Sequence, residues 1–106
     1  MDVFDAIHDP TRRHILDLLR IQARSAGELV ATFPQMTQPA VSRHLRLLRE
    51  TGLVAVRVQE QQRIYTLRPE GLLALDQWLE QYRPFWQQSL DALSRHLDQR
   101  TEPPSE

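Results

Sequence analysis

The sequence contains no cysteine, and only three of its 106 residues are glycine. Without cysteine the chain has no disulfides and no thiolate ligands for a metal ion. With so few glycines it has no Gly-rich loop of the kind that binds phosphate groups. It also offers no cysteine nucleophile and no combination of serine, histidine and acid that predicts an active site. We therefore expect neither an enzyme nor a bound cofactor.

Long apolar runs are missing as well. No uninterrupted apolar stretch approaches the roughly 20 residues that a membrane helix requires, and the first residues, MDVFD, lack the basic start of a signal peptide. At 106 residues and 41% apolar content, residues 1–100 are expected to form one small soluble domain that acts in the cytoplasm, away from membranes. Residues 101–106 are expected to form a disordered tail.

A dense series of helix signals begins in the middle of the chain. Ser25 and Glu28 have the spacing of a capping box, in which each side chain bonds a free backbone N–H at a helix start. Pro34 ends this first short helix. Thr37 is a good cap for a second helix, and Gly52 is a good stop for it. The pattern predicts two consecutive helices joined by a tight turn.

A hairpin is predicted to follow directly. Residues 53–58 and 63–67 are rich in β-branched and aromatic side chains and are expected to be strands, with the polar run QEQQ between them. Helix, turn, helix and hairpin in this order make residues 25–67 the reading unit of a winged helix-turn-helix. The expected fold class is mainly α with a small β-hairpin, and DNA is the first partner to expect.

The second helix of this unit has two different sides. Val41, Leu45 and Leu48 recur at i, i+4 and i+7, which places them on one side, towards the core. The opposite side is polar and basic and carries Pro39, Ser42, Arg43 and Arg46. Gln38 and Arg49 lie towards its edge. Arginine's planar fork suits both phosphates and the guanine edge. This helical-face argument predicts that Arg46 contacts DNA, and the hairpin's Arg57 and Arg63 are placed to follow a phosphate backbone.

The charge distribution supports this interpretation. The chain has a net charge of −1, but residues 37–68 hold six arginines against two acids, whereas residues 69–106 hold three arginines against seven acids. The positive charge is therefore concentrated on the predicted reading segment, which is the distribution that phosphate binding needs.

Two helices are predicted before the reading unit, over residues 2–8 and from Asp9-Pro10 to about Ile21. Arg12 and Arg13 fall in the first turn of the second helix, where positive charge is unfavourable. They are expected either to have acidic or phosphate partners or to be surface arginines near Asp9 or Asp17.

The last predicted helix, residues 69–100, is the longest. Its apolar residues follow steps of three and four for about seven turns, which is more than a small core needs, so part of this stripe should contact a second copy. Pro84 either bends this helix or divides it near residues 80–84. An alternative for the cluster Trp78, Tyr82, Phe85 and Trp86 is a pocket for a small apolar effector.

The chain resembles the ArsR family of prokaryotic winged-helix repressors. The resemblance rests on three motifs in order, DPTRRHIL at residues 9–16, QPAVSRHL at 38–45 followed by GLV at 52–54, and IYTL at 64–67. It implies negative control of transcription at an operator with two-fold symmetry. Carried over to matching positions, it implies that these residues read DNA: Gln38, Pro39, Ser42 and Arg43. It also implies a homodimer built from the first and last helices, with an interface formed by Phe4, Ile7, Trp78, Tyr82, Trp86, Leu90, Leu93 and Leu97.

Two departures from the family pattern carry expectations of their own. Many members have glycine at the tip of the wing, whereas this chain has Glu60, so we expect a turn that does not need a positive φ. Metal-sensing members use a cysteine pair, or aspartate and histidine on paired C-terminal helices. The first set is impossible here and Asp91 and His96 have the wrong spacing for the second, so no metal site is expected.

The expected function is a homodimeric repressor that occludes a promoter at an inverted-repeat operator. Two alternatives stay open from the sequence. The winged helix could be a protein-interaction module whose arginine face binds an acidic partner. It could also be a sensor in which a small molecule, bound by the aromatic helix, shifts the dimer between two forms.

Overall fold

The computed structural model describes residues 1–101, which form six α-helices and a three-stranded antiparallel sheet. Contacts divide the chain into two compact units, one from Met1 to Leu75 and one that begins at Asp76. The expected single domain over residues 1–100 therefore stays a prediction. Among the described residues, no helix is long and apolar enough to cross a membrane.

Helices α1 (Val3–His8) and α2 (Pro10–Ile21) both begin at a carboxylate cap. The side chain of Asp2 accepts a hydrogen bond from the backbone N–H of Asp5 at 3.0 Å. Asp9 accepts from the N–H of Thr11 at 2.8 Å, and Pro10 takes the first position of α2, where its missing N–H costs nothing. Both predicted N-terminal helices are confirmed.

Strand β1 (Arg24–Ser25) leads into α3 (Ala26–Thr32), and a short turn separates α3 from α4 (Gln38–Glu50). The predicted capping box is present: Ser25 Oγ accepts from the N–H of Glu28 at 3.1 Å, and the Glu28 carboxylate accepts from the N–H of Ser25 at 3.3 Å. Thr37 Oγ1 accepts from the N–H of Ala40 at 3.2 Å and so caps α4. The helix-turn-helix is confirmed.

Helix α4 ends at the predicted glycine. Gly52 has a φ of +78°, and the N–H of Leu53 reaches back to the carbonyl of Leu48 at 2.9 Å. This is the Schellman arrangement, in which a residue without Cβ turns left-handed and satisfies carbonyls at the helix end. A second glycine approaches this turn: a Cβ on Gly71 would lie 2.9 Å from the carbonyl carbon of Gly52, so only glycine fits there.

Strands β2 (Val54–Gln59) and β3 (Gln62–Leu67) form the predicted hairpin, and β3 lies between β2 and β1. Because Gln59 pairs with Gln62, only two residues are left for the turn. They have φ values of 50° at Glu60 and 68° at Gln61. The expectation that Glu60 would favour a turn without positive φ is wrong, because a two-residue loop that matches the twist of the strands requires positive φ at both positions.

The hydrophobic core lies within residues 1–75. Ile15, Leu29, Leu45 and Leu48 are almost fully buried, and Leu53 joins them from the start of the wing. They come from α2, α3, α4 and the hairpin, so one core holds the reading unit against the N-terminal helices. The mainly α winged helix-turn-helix with a small sheet is therefore confirmed as the fold class.

The C-terminal helical segment is divided near Pro84, which is one of the two outcomes that the sequence left open. A 3-10 turn (Pro69–Leu72) precedes α5 (Leu73–Glu80), and α6 (Arg83–Thr101) follows after a break. Pro84 lies in the first turn of α6, where it needs no hydrogen-bond partner; in a continuous helix its ring would clash with the preceding turn. Proline thus divides the helix. The predicted tail 101–106 starts at the last residue of α6, and residues 102–106 lie outside the described part.

Candidate nucleic-acid interface

The exposed side of α4 forms one wall of an open groove. The other walls are the start of α3 and one face of β3. The groove is lined by residues of all three elements: Ala26, Gly27, Val30, Gln38, Pro39, Ser42, Arg43, Leu45, Arg46, Arg49, Arg63 and Tyr65. Six of the seven residues predicted to contact DNA are among them, so the fold brings this set together. That each of them contacts DNA stays a prediction.

Four guanidinium groups make the groove strongly basic. Arg43, Arg46 and Arg49 are exposed on α4, and Arg63 extends from β3. Within residues 1–101, the only ion pair of these four side chains joins Arg46 Nε to Glu50 Oε1 at 4.0 Å, with both side chains more than half exposed. An exposed pair at that distance is weak. The donors of this surface are therefore available to phosphates and base edges.

The two arginines of the wing lie on opposite faces of the hairpin. Arg63 pairs with Val58, while Arg57 pairs with Ile64, and directly paired residues of an antiparallel ladder share a face. Arg63 thus shares the face of Tyr65, which lines the groove. Arg57 points the other way and has Gln59 as its hydrogen-bond partner at 3.5 Å. The sequence predicts the same role for both arginines, but in the structure only Arg63 lines the groove.

Six groove residues were not in the predicted contact set: Ala26, Gly27, Val30, Leu45, Arg49 and Tyr65. Arg49 was placed only at the edge of the helical face, yet it lines the groove with the other arginines. Its spacing of three from Arg46 was a usable signal. Gly27 lines the groove from α3, and no local pattern in the sequence indicated it.

Arg12 and Arg13 have partners that the sequence did not predict. Arg12 is buried, with 9% of its surface exposed. Its Nε donates to the carbonyl of Ala6 at 2.7 Å and its Nη2 to the carbonyl of Asp5 at 3.2 Å. Arg13 Nη1 donates to the carbonyls of Ile7 at 2.6 Å and His8 at 3.1 Å. The pair thus caps the C-terminal end of α1, where cations are favourable. The expected surface position is wrong for Arg12, which is buried, whereas Arg13 is exposed as that interpretation predicted.

His44 connects this cap to the groove helix. It is half-buried on α4, and its Nδ1 lies 3.3 Å from Nη1 of Arg12. Burial lowers the pKa of His44, the carboxylate of Asp9 opposes this, and the charges of Arg12 and Arg43 lower it further, so it stays below 6.5. For Asp9, partial burial raises the pKa, but backbone N–H bonds from Arg12 and Thr11 outweigh burial and hold it below 3.8.

The residues predicted to form a dimer interface differ in exposure. Ile7 is half-buried and packs against the core of residues 1–75, whereas Phe4 is exposed. Large apolar side chains of α5, the break and α6 are exposed as well, by 40% to 59%: Trp78, Tyr82, Trp86, Leu90, Leu93 and Leu97. From Trp86 onwards they follow steps of four, three and four, which aligns them along one side of α6.

The described residues contain no group of three or more histidine, aspartate or glutamate side chains placed to hold a metal ion. A winged helix-turn-helix with a basic groove beside its second helix defines a class of DNA-binding protein. A model of bacterial regulatory proteins of the arsR family matches residues 9–56.

Known proteins support the same assignment. The chain is 36% identical to the HTH-type transcriptional regulator Rv2034 of Mycobacterium tuberculosis, over 90% of this chain and 85% of that protein. It is 35% identical to the transcriptional repressor SdpR of Bacillus subtilis, over 74% of this chain and 86% of that one. An ArsR-like transcriptional regulator from Rhodococcus sp. RHA1 superposes with a TM-score of 0.69 at 28% identity, over 92% of this chain and 88% of that structure.

The chain therefore belongs to the ArsR family of transcriptional regulators. It is a DNA-binding regulator of transcription, and its family is not a class of enzymes.

Proposed function

We propose that this protein is a homodimeric repressor that occludes a promoter by binding an inverted-repeat operator. The observation that carries the proposal is the convergence of Arg43, Arg46, Arg49 and Arg63 on one groove beside α4. A B-DNA major groove admits an α-helix. In this arrangement Gln38, Pro39, Ser42, Arg43 and Arg46 face base edges and phosphates, with Arg63 on the adjoining backbone.

The dimer is proposed from the exposed apolar side of α6. Trp86, Leu90, Leu93 and Leu97 form a continuous stripe on a helix, and soluble monomers rarely expose large contiguous apolar surfaces. A second copy of the same helix covers such a stripe with a matching one. The two α4 helices then lie about 34–36 Å apart, in successive major grooves on one face of the duplex.

Selection of binding sites from a random duplex pool, followed by a salt titration, tests the proposal. We expect an inverted repeat whose half-sites are about one helical turn apart, with affinity that falls steeply as salt rises. Recovery of no motif would contradict the proposal and favour a protein-interaction module. A small apolar molecule that raises the melting temperature and releases the selected duplex would establish the effector-gated version.

The dimer has a separate test in the oligomeric state. Leu93→Asp places a charge within the stripe and should produce monomers with weaker operator binding, because a half-site alone holds only one reading helix. Gln88→Asp adds the same charge on the opposite side of α6 and should leave the dimer intact. Sedimentation equilibrium on both variants decides: a dimeric Leu93→Asp protein would place the interface elsewhere.

A further inference from the structure

One buried side chain joins the two N-terminal helices to the second helix of the reading unit. The guanidinium of Arg12 extends from α2, donates to the carbonyls of Asp5 and Ala6 at the end of α1, and meets Nδ1 of His44 on α4. Its neighbour Arg13 also bonds to the end of α1, but it is exposed and, among the described residues, has no hydrogen bond to α4. Arg12 is thus a direct polar link between the N-terminal helices and the groove helix.

The link fixes the protonation state of His44. Arginine has only donors, so Nη1 of Arg12 can bond to Nδ1 only where Nδ1 carries a lone pair. His44 is therefore neutral in this arrangement, with its proton on Nε2. Protonated imidazole has a donor on both nitrogens, and it would place a second cation against the buried guanidinium. In that state the two side chains cannot form this hydrogen bond.

The charged groups around His44 are few. Asp9, which caps α2, acts in favour of the imidazolium, while Arg12 on α2 and Arg43 on α4 itself act against it. Half-burial also acts against the charged form. The surroundings as a whole favour neutral His44, which is the form that the contact with Arg12 requires.

His44 is the neighbour of Arg43 in sequence, and Ser42 is one residue further back; both of these line the groove. Movement of His44 away from Arg12 would move this part of α4 with it. We propose that Arg12 is a positioning residue for DNA binding, acting through neutral His44, so that acidification releases the groove helix and weakens binding. This inference rests on the proposed function, because it assumes that α4 binds DNA.

The test compares DNA affinity against pH in the full chain and its variants. Fluorescence anisotropy is measured with two duplexes of roughly 30 base pairs, one carrying the selected motif and one of mixed sequence. Between about pH 7.5 and about pH 5.5, wild-type affinity should fall roughly three- to tenfold, which is the range for loss of one hydrogen bond. His44→Asn keeps an oxygen acceptor near the position of Nδ1 and does not titrate, so its affinity should not fall. All other residues are the same in both proteins, so the ratio of the two affinities isolates the effect of position 44.

Arginine variants provide a matched pair for the same measurement. Arg12→Lys keeps the charge but loses the planar fork, so it should weaken binding at about pH 7.5 and flatten the pH profile. Arg13→Lys makes the same change in the residue beside it and should leave both the affinity and the profile at wild-type values. Circular dichroism at each pH establishes that the proteins are folded. Should Arg12→Lys not fold, the wild-type and His44→Asn profiles decide alone.

The outcomes separate this inference from the proposed function. Wild-type and His44→Asn proteins that bind with the same pH profile would overturn the positioning role of Arg12 and leave the repressor proposal standing. No binding to either duplex at any pH would overturn both.

Discussion

Arg12 of α2 and Arg43 of α4 carry the same charge but differ in burial and in hydrogen bonding. Arg12 is buried, and its donors are used by two backbone carbonyls and one imidazole. Arg43 is exposed and, within residues 1–101, has no hydrogen bond or ion pair. Each of the two helices contains more than one arginine, so the sequence alone does not distinguish the two roles. What separates a structural arginine from a binding one is whether the folded chain already occupies its donors.

The comparison is tested most strongly by removing Arg12. Arg12→Ala removes the donors to the buried carbonyl of Ala6 and the partly buried carbonyl of Asp5, and should lower the free energy of unfolding by about 2–4 kcal/mol. Arg13→Ala removes bonds at an exposed site and should lower it by less than about 1 kcal/mol. Urea denaturation of both variants gives the two values. Equal losses would mean that burial does not distinguish the two arginines.

The opposite behaviour is expected for Arg43. Arg43→Ala should weaken operator binding by roughly 1–3 kcal/mol and relax the preference at one base pair, if the side chain makes a bidentate base contact. Its free energy of unfolding should change by no more than about 0.5 kcal/mol, because the side chain is exposed. Binding titrations against single-base operator variants measure the first effect. An equal loss of affinity for every sequence would make Arg43 a phosphate contact instead.

The two arginines of the wing allow the same comparison between a groove residue and a residue outside the groove, with a smaller expected effect. Arg63 lines the groove and Arg57 lies on the other face of the hairpin, so the two are matched in charge and exposure. Arg63→Ala should reduce the slope of log affinity against log salt by about one, whereas Arg57→Ala should leave it unchanged. If both variants reduced the slope equally, the wing would contact DNA along both faces.

These contrasts show which features of the fold can be predicted from local sequence patterns. Caps and periodicity predicted α1, α2, α3, α4 and the hairpin, because each depends on residues within about one or two turns of each other. The turn at Glu60 was missed because strand pairing, rather than the preference of the residue, set its φ. The contact of Arg12 with His44 joins positions 32 apart in sequence, and only the assembled fold brings them together.

The smallest expected effect concerns stability against pH. Burial and the nearby arginines hold the pKa of His44 below its ordinary value of 6.5, so the unfolded chain takes up a proton first as the pH falls. The stability contributed by neutral His44 is therefore complete above pH 6.5 and is lost as the pH falls from there through the lowered pKa. Asp9 acts in a separate window, since its pKa is held below 3.8 and its contribution is lost only as the pH falls below that value.

Unfolding free energies of the wild-type protein and His44→Asn, measured at several pH values, isolate the histidine. The difference between the two should be constant above pH 6.5 and should shift against the wild-type protein below it. A difference that did not change with pH would mean that Arg12 contacts His44 without depending on its charge, and the buried arginine would then serve only as the cap of α1.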